Sequence, residues 1–257
     1  MITQLKTISS EAKSIKEKVI VIENLKKAFG SNVVLNNFSF SLNKGENVAV
    51  LGKSGSGKSV LIKCIIGLLE PDSGSINVLG ASVPQLTLDE LDQLRIKVGF
   101  LFQSNALYDS MTVRENLEFP LRRHWMNVNH EEVDSMVIEA LDDVGLGYTI
   151  DMMPVELSGG MRKRIALART LILKPQIILY DEPTTGLDPV TGREISNLIL
   201  EIQQKYNTSS FIISHDMKCI KLTADRIVVL IDGRCYAVGT YDELCNSSDK
   251  RIKEFFD

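Results

Sequence analysis

Apolar and polar residues alternate along the first part of the chain. Val19–Ile22 and Val33–Leu42 read as half-buried strands, and Asn47–Gly52 carries the continuous apolar run Val48–Leu51 expected of a strand covered on both faces. Ser75–Leu79 is a further strand, so the opening predicts antiparallel sheet feeding one buried strand. The middle changes to helical spacing. Thr87 with Glu90 and Thr112 with Glu115 have the spacing of a capping box, and Asn129 with Glu132 has a weaker form of it. Between these helices lies a short apolar strand, Val98–Phe102, running into Gln103. A helix is predicted from Gly159 to about Leu173, then a strand, Ile177–Tyr180, and a helix from about Val190 to Lys205. Strands follow at Ser210–Ile213, Ile227–Ile231 and Cys235–Val238, and a short final helix at Ile252–Phe256. Strands alternating with helices imply a parallel sheet with crossovers.

Composition narrows what such a chain can do. At 257 residues there is room for one large α/β domain with a subdomain. A net charge of -4 and a pI near 5.5 give no basic face for nucleic acid, so any phosphate site must be local. Cys64, Cys219, Cys235 and Cys245 form no CxxC pair and read as reduced thiols, and His124, His130 and His215 are too few for a histidine-rich metal centre. The apolar run Leu61–Leu69 contains Lys63 and falls short of the about 20 residues of a spanning helix. The chain is therefore expected in the cytoplasm, touching a membrane only through partners.

Three motifs carry chemistry. Gly52-Lys53-Ser54-Gly55-Ser56-Gly57-Lys58-Ser59 matches G-x-x-x-x-G-K-[ST] between a predicted strand and a predicted helix. Its glycines let backbone N–H groups point inward at phosphates, Lys58 reaches the β- and γ-phosphates, and the Ser59 hydroxyl serves Mg²⁺. Ile177–Tyr180 is an apolar strand that ends in Asp181 and Glu182. Asp181 is placed to hold the Mg²⁺ shell, and Glu182, one residue on, to meet a water attacking the γ-phosphate. Leu157-Ser158-Gly159-Gly160-Met161 opens a helix, and its amides and hydroxyl make a second anion site.

With these motifs in this order, the chain resembles the ATP-binding subunits of ABC transporters from about Val19 to Leu244. The resemblance implies an α/β P-loop NTPase fold with a RecA-like core, an antiparallel β subdomain and a helical subdomain at about 104–157. Residues 1–17 would be a flexible leader, 18–244 the ATPase domain and 245–257 a short helical tail. It implies ATP and Mg²⁺ as ligands, Phe29 as the aromatic on adenine, and Gln103 as the Q-loop glutamine near metal and water. Asp188 falls in the D-loop after Leu187, and His215 is the switch histidine. Two chains would pair head to tail, with Ser158, Gly159 and Gly160 of one closing on ATP held by the other. Blander readings stand beside two of these positions: Phe29 as a core aromatic and His215 as a surface residue.

Met161 departs from the usual glutamine of the signature. Leu-Ser-Gly-Gly-Met followed by Arg162-Lys163-Arg164 resembles the ATPases of the bacterial lipid-asymmetry system and other MCE-type lipid transporters, as does Phe102–Val113 with its continuation Glu118–Arg122. That resemblance implies phospholipid cargo, a permease of that system and an MCE-domain protein as partners, and a place on the cytoplasmic face of the inner membrane. Leu107, Tyr108 and Trp125 suit a groove for a permease helix, or equally the packing of the helical subdomain. The Arg162–Arg164 run fits a solvated helix face as well. An ATPase for lipoprotein release or a polar solute is the alternative. A soluble ATPase in DNA repair or translation is remote, since paired cassettes and long coiled-coil insertions are lacking.

Overall fold

The computed structural model describes residues 17–124 and 129–256. The leader, apart from Glu17, lies outside them, and so does Trp125.

The alternating opening builds a four-stranded antiparallel sheet in the order β2-β1-β4-β5. Its strands are β1 (Lys18–Phe29), β2 (Asn32–Asn43), β4 (Ser73–Val78) and β5 (Ala81–Ser82). The sequence predicted only Val19–Ile22 of β1, which in fact extends to Phe29. Asn24 takes a left-handed φ of 52°, and the pairing of β1 with β2 and with β4 shifts register after Ile22 and Glu23. Such bulges shift the two-residue alternation that marks a strand, which hides its second half from a pattern reading.

A second, six-stranded sheet has the order β10-β9-β3-β8-β7-β6. It comprises β3 (Asn47–Leu51), β6 (Val98–Leu101), β7 (Ile177–Asp181), β8 (Ser209–Ile213), β9 (Arg226–Ile231) and β10 (Arg234–Gly239). From β9 to β6 the neighbours run parallel, and β10 adds an antiparallel edge. Every residue of β3 and β8 is buried. Successive side chains leave opposite faces of a strand, and the core divides accordingly. Val48, Val50, Ile177, Leu179, Phe211 and Ile213 join the cluster beneath the antiparallel sheet with Phe38, Phe40 and Leu42. Ile178, Tyr180 and Ile212 join a cluster on the other face, while Ala49 and Leu51 join a third with Ile220, Leu244 and Ile252.

The helices are α1 (Lys58–Ile65), α2 (Leu88–Lys97), α3 (Val113–His124), α4 (His130–Asp143), α5 (Gly159–Leu171), α6 (Pro189–Tyr206), α7 (Met217–Thr223), α8 (Tyr241–Cys245) and α9 (Lys250–Lys253). The Thr87–Glu90 box forms in full, Thr112 and Glu115 exchange the same two bonds, and Asn129 accepts from Glu132 N at 2.9 Å. The final helix begins two residues before the predicted Ile252, because Asp249 caps it by accepting from Arg251 N at 2.8 Å. Helices α3 and α4 share the cluster with α5 and α6.

Candidate functional site

The strand order β3-β8-β7-β6 determines what can meet. Gly52–Ser59 follows β3, His215 follows β8, Asp181 and Glu182 end β7, and Gln103 follows β6. Parallel pairing aligns them, with Leu51 beside Val229, Asp181 beside Ile213 and Leu101 beside Tyr180. All four segments thus leave one edge of the sheet, the carboxyl-end crevice where open α/β sheets hold ligands.

The loop after β3 is built to cradle an anion. Gly57 stands at φ 101°, and a Cβ there would come within 2.8 Å of Val34 Cγ1 and 3.0 Å of Val34 O, so only glycine fits. A Cβ on Gly52 would lie 2.6 Å from Ser56 Oγ. Gly57 is also the N-cap of α1 and supplies no side-chain cap, which leaves the first amides of that helix to a ligand. Lys58 is buried, and its Nζ donates to the carbonyls of Gly52 at 2.7 Å and Lys53 at 3.0 Å. Desolvation lowers the Lys58 pKa, while Glu182 and Asp181 pull the other way. Lys53, Ser54, Gly55 and Ser59 are exposed along the loop, and Ser56 Oγ is buried with no partner.

Across from that loop, Asp181 Oδ1 is buried without a hydrogen-bond partner. Burial raises its pKa, the neighbouring Glu182 raises it further, and Lys63, Lys58 and Lys163 oppose the shift. An unpaired carboxylate oxygen facing a lysine and a helix terminus fits a hard cation with phosphate co-ligands. Among the described residues no cluster of three or more His, Cys, Asp or Glu could hold a metal alone. Mg²⁺ is commonly bound through one or two carboxylates plus substrate phosphates, so the donor set agrees with that ion.

Glu182 carries a φ of 52°, a left-handed conformation that costs a non-glycine residue on the order of 1–3 kcal/mol. Its N–H donates to Ile213 O at 2.9 Å, locking the turn to the neighbouring strand. Its Oε2 accepts from Thr185 Oγ1 at 3.1 Å and lies 2.8 Å from His215 Nδ1. His215 is therefore engaged with the carboxylate next to Asp181, although its side chain is 68% exposed. Asp188 caps α6, accepting from Val190 N and Thr191 N. Phe29 is 49% exposed, which overturns its reading as a core aromatic, and Lys27 Nζ lies 5.5 Å from the ring centroid.

The signature lies at the start of α5. Ser158 is the N-cap and accepts from Met161 N at 3.3 Å. A Cβ on Gly160 would meet Thr191 Cγ2 at 2.5 Å, so glycine there lets α5 approach α6. Met161 packs against the cluster of α3–α6, away from the exposed Ser158 and Gly159. The three basic residues that follow are not a solvated face. Arg162 donates to Leu157 O, Arg164 to Val144 O and Glu194, and Lys163 retains 2% exposure, with burial driving its pKa down to about 8.

A groove of about 490 Å³ beside the Q-loop is lined by Phe100, Phe102, Tyr108 and Phe119 with Arg95 and Arg123. Tyr108 packs against Phe119, with centroids 4.7 Å apart and the rings tilted by 48°, and stays 41% exposed, whereas Leu107 packs half-buried against the core. The sequence reading named Tyr108 for this groove but missed the phenylalanines, because their role depends on how β6 and α3 meet.

Residues 35–185 match the ABC transporter family. The chain belongs to that family. Its relatives include a protein of Mycobacterium leprae called a probable ribonucleotide transport ATP-binding protein, 38% identical over 92% of this chain and 68% of its own length. Another is the intermembrane phospholipid transport system ATP-binding protein of Haemophilus influenzae, 36% identical over 93% of this chain and 90% of its own. The chain thus spans about two thirds of the mycobacterial relative's length. Among solved structures, the dimeric ATP-binding cassette MJ0796 with ADP and Pi superimposes with a TM-score of 0.78 at 31% identity, covering 86% of this chain and 98% of that one. The chain is an ABC-type ATP-binding subunit, with the fold of those cassettes, and an ATPase.

Proposed function

We propose that the chain hydrolyses Mg²⁺-bound ATP in a head-to-tail homodimer and thereby drives a membrane permease for phospholipid. The observation that carries the chemistry is the adjacency of Asp181, with its unpaired buried Oδ1, and Glu182, held 2.8 Å from His215, opposite the Lys58 loop. Phe29 stacks on the adenine. Amides of Gly52–Ser59 and the Lys58 ammonium bind the phosphates, and Ser59, Asp181 and Gln103 hold Mg²⁺, which when bound neutralises charge developing on them. Glu182 orients and deprotonates the attacking water, and His215 holds that carboxylate in place. The exposed Ser158 and Gly159, with the half-buried Gly160, complete the site on the partner subunit, with Asp188 at the seam, as the dimeric form of the cassette MJ0796 supports.

Cargo rests on kinship. The Haemophilus influenzae relative is named for intermembrane phospholipid transport, and this chain shares with lipid-asymmetry ATPases the Met161 signature and the 102–113 stretch. The aromatic groove at Phe102 and Tyr108 would receive the permease, which puts the chain on the cytoplasmic face of the inner membrane; an MCE-domain protein would complete the assembly.

Glu182→Gln tests the chemistry. ATP binding should stay within a few-fold of the parent while turnover falls at least a hundredfold, in the range seen when a positioned base is lost. Retained turnover removes Glu182 from the role. Affinity capture of the chain from a detergent extract tests the cargo: an MCE-domain protein in the eluate supports phospholipid, and a solute permease with a periplasmic binding protein refutes it.

A further inference from the structure

Lys163 is almost completely buried at 2% exposure, an arrangement rare for lysine unless its ammonium has partners. Its Nζ donates to the main-chain carbonyl of Gln103 at 3.0 Å, sixty residues away in sequence. It also lies close enough to Asp181 to stabilise that carboxylate electrostatically. The same helix sends a second cation to the same loop. Arg169 Nη1 donates to Ala106 O at 2.8 Å and Nη2 to Asn105 O at 3.1 Å, with Tyr108 beneath its guanidinium. Asn105 and Ala106 both take left-handed φ values, 66° and 52°, an uncommon pair for non-glycine residues. Two side chains of α5 therefore hold three carbonyls of the loop after β6, those of Gln103, Asn105 and Ala106.

We propose that Lys163 is a positioning residue for hydrolysis: by holding the Gln103 main chain against α5, it sets the Gln103 side chain at the metal position beside Asp181. The helix that presents Ser158 to a partner's nucleotide would thus be tied to the loop that holds Gln103 over the chain's own. Loss of the Lys163 contact frees the Gln103 peptide to rotate, while Arg169 still anchors the loop further on. The cost falls on metal placement and on turnover, and metal-free nucleotide binding is spared. This rests on the roles proposed above for Gln103 and Asp181.

Lys163→Met keeps the length and apolar bulk of the stem and removes the donor. It should lower kcat about tenfold, equivalent to losing one hydrogen bond's worth of positioning, and Lys163→Arg, which keeps a donor, should recover most of it. Binding of a fluorescent ATP analogue in EDTA should stay within twofold of the parent. In the Glu182→Gln background, which does not turn over, the Mn²⁺ affinity of the ATP complex, read by electron paramagnetic resonance, should fall several-fold on adding Lys163→Met. Amide exchange at 103–106 should rise. If Lys163→Met does not fold, Lys163→Gln is read on the same measurements. Unchanged Mn²⁺ affinity and kcat overturn the proposal. So does an Arg variant as impaired as Met with Mn²⁺ affinity intact, since Lys163 would then serve packing alone. A parent chain that fails to hydrolyse ATP would instead sink the proposed function.

Discussion

Phe29 ends β1 with half its surface in water, on a chain whose other aromatics largely line the core or the groove. An exposed phenylalanine contributes little to folding, so its removal should be read in nucleotide affinity. Stacking of an aromatic ring on a base is worth about 1–3 kcal/mol per base. Phe29→Ala should therefore weaken ATP binding by about five- to a hundredfold in equilibrium titration, and Phe29→Tyr should restore it. The midpoint of urea unfolding should move by less than its error, because a surface site seldom shifts stability by more than about 0.5 kcal/mol. Equal ATP affinity in Phe29→Ala and parent would exclude Phe29 as the adenine platform. Residues whose placement depends on sequence-local spacing were legible from the chain alone: Lys58 and Ser59 sit in one turn, and Asp181 and Glu182 are adjacent. Lys163 was not. A run of Arg-Lys-Arg reads as polar surface, yet the helical period turns Lys163 onto the row of Ala166 and Thr170, which faces β6. Whether that row is covered depends on a strand sixty residues earlier.

Among the elements, α3 does more than its amphipathic pattern foretold. Asn116 is completely buried within it. Its Oδ1 accepts from Tyr108 N at 2.8 Å, and its Nδ2 donates to the carbonyls of Tyr108, Met111 and Thr112 at 3.0–3.1 Å. One amide thus satisfies Tyr108 N and Met111 O and adds a second bond to the carbonyls of Tyr108 and Thr112, which also accept from Met111 N and Asn116 N. Asn116→Ala should cost about 2–4 kcal/mol in chemical denaturation, since each buried polar group left unpaired costs about 1–3 kcal/mol. The same variant should disturb the groove at Tyr108 more than it disturbs ATP binding. A loss below about 0.5 kcal/mol would mean that water replaces the amide freely. The element boundaries were legible where a cap marks them, as at Thr87, Thr112 and Asn129. They were not legible where β1 bulges at Asn24, nor in the tail, where Asp249 starts α9 before the apolar residues that drew the prediction. The groove's phenylalanines escaped for a similar reason: Phe100 of β6, Phe102 in the loop after it and Phe119 of α3 are brought together only by packing.

For the molecule as a whole, the two sheets are stitched at one seam. Arg226 of β9 donates to both Glu46 oxygens at 2.9 Å and to Ser41 O of β2, with Phe40 below its guanidinium. Asn36 N donates to Gly233 O nearby, where a Cβ on residue 233 would meet Val34 O at 2.6 Å. The Lys58 loop belongs to this sheet assembly, while Ser158 caps a helix of the separate cluster built from α3–α6. Within one chain, Lys58 Nζ bonds to its own loop and Ser158 Oγ to its own helix, and no hydrogen bond links the two among the described residues. In the head-to-tail pair proposed above, each site draws Lys58 from one copy and Ser158 from the other, and a two-fold pair supplies two such sites. That arrangement has a consequence that single-chain catalysis lacks. Lys58→Ala and Ser158→Arg chains should each be inactive alone. Mixed one to one, random pairing makes half the dimers hybrid, and each hybrid holds one site damaged twice and one intact. ATPase activity should then appear in the mixture at up to about a quarter of the parent rate per chain. If a site lies within one chain, every chain in the mixture still carries a defect, and the rate stays at the level of the two variants assayed apart.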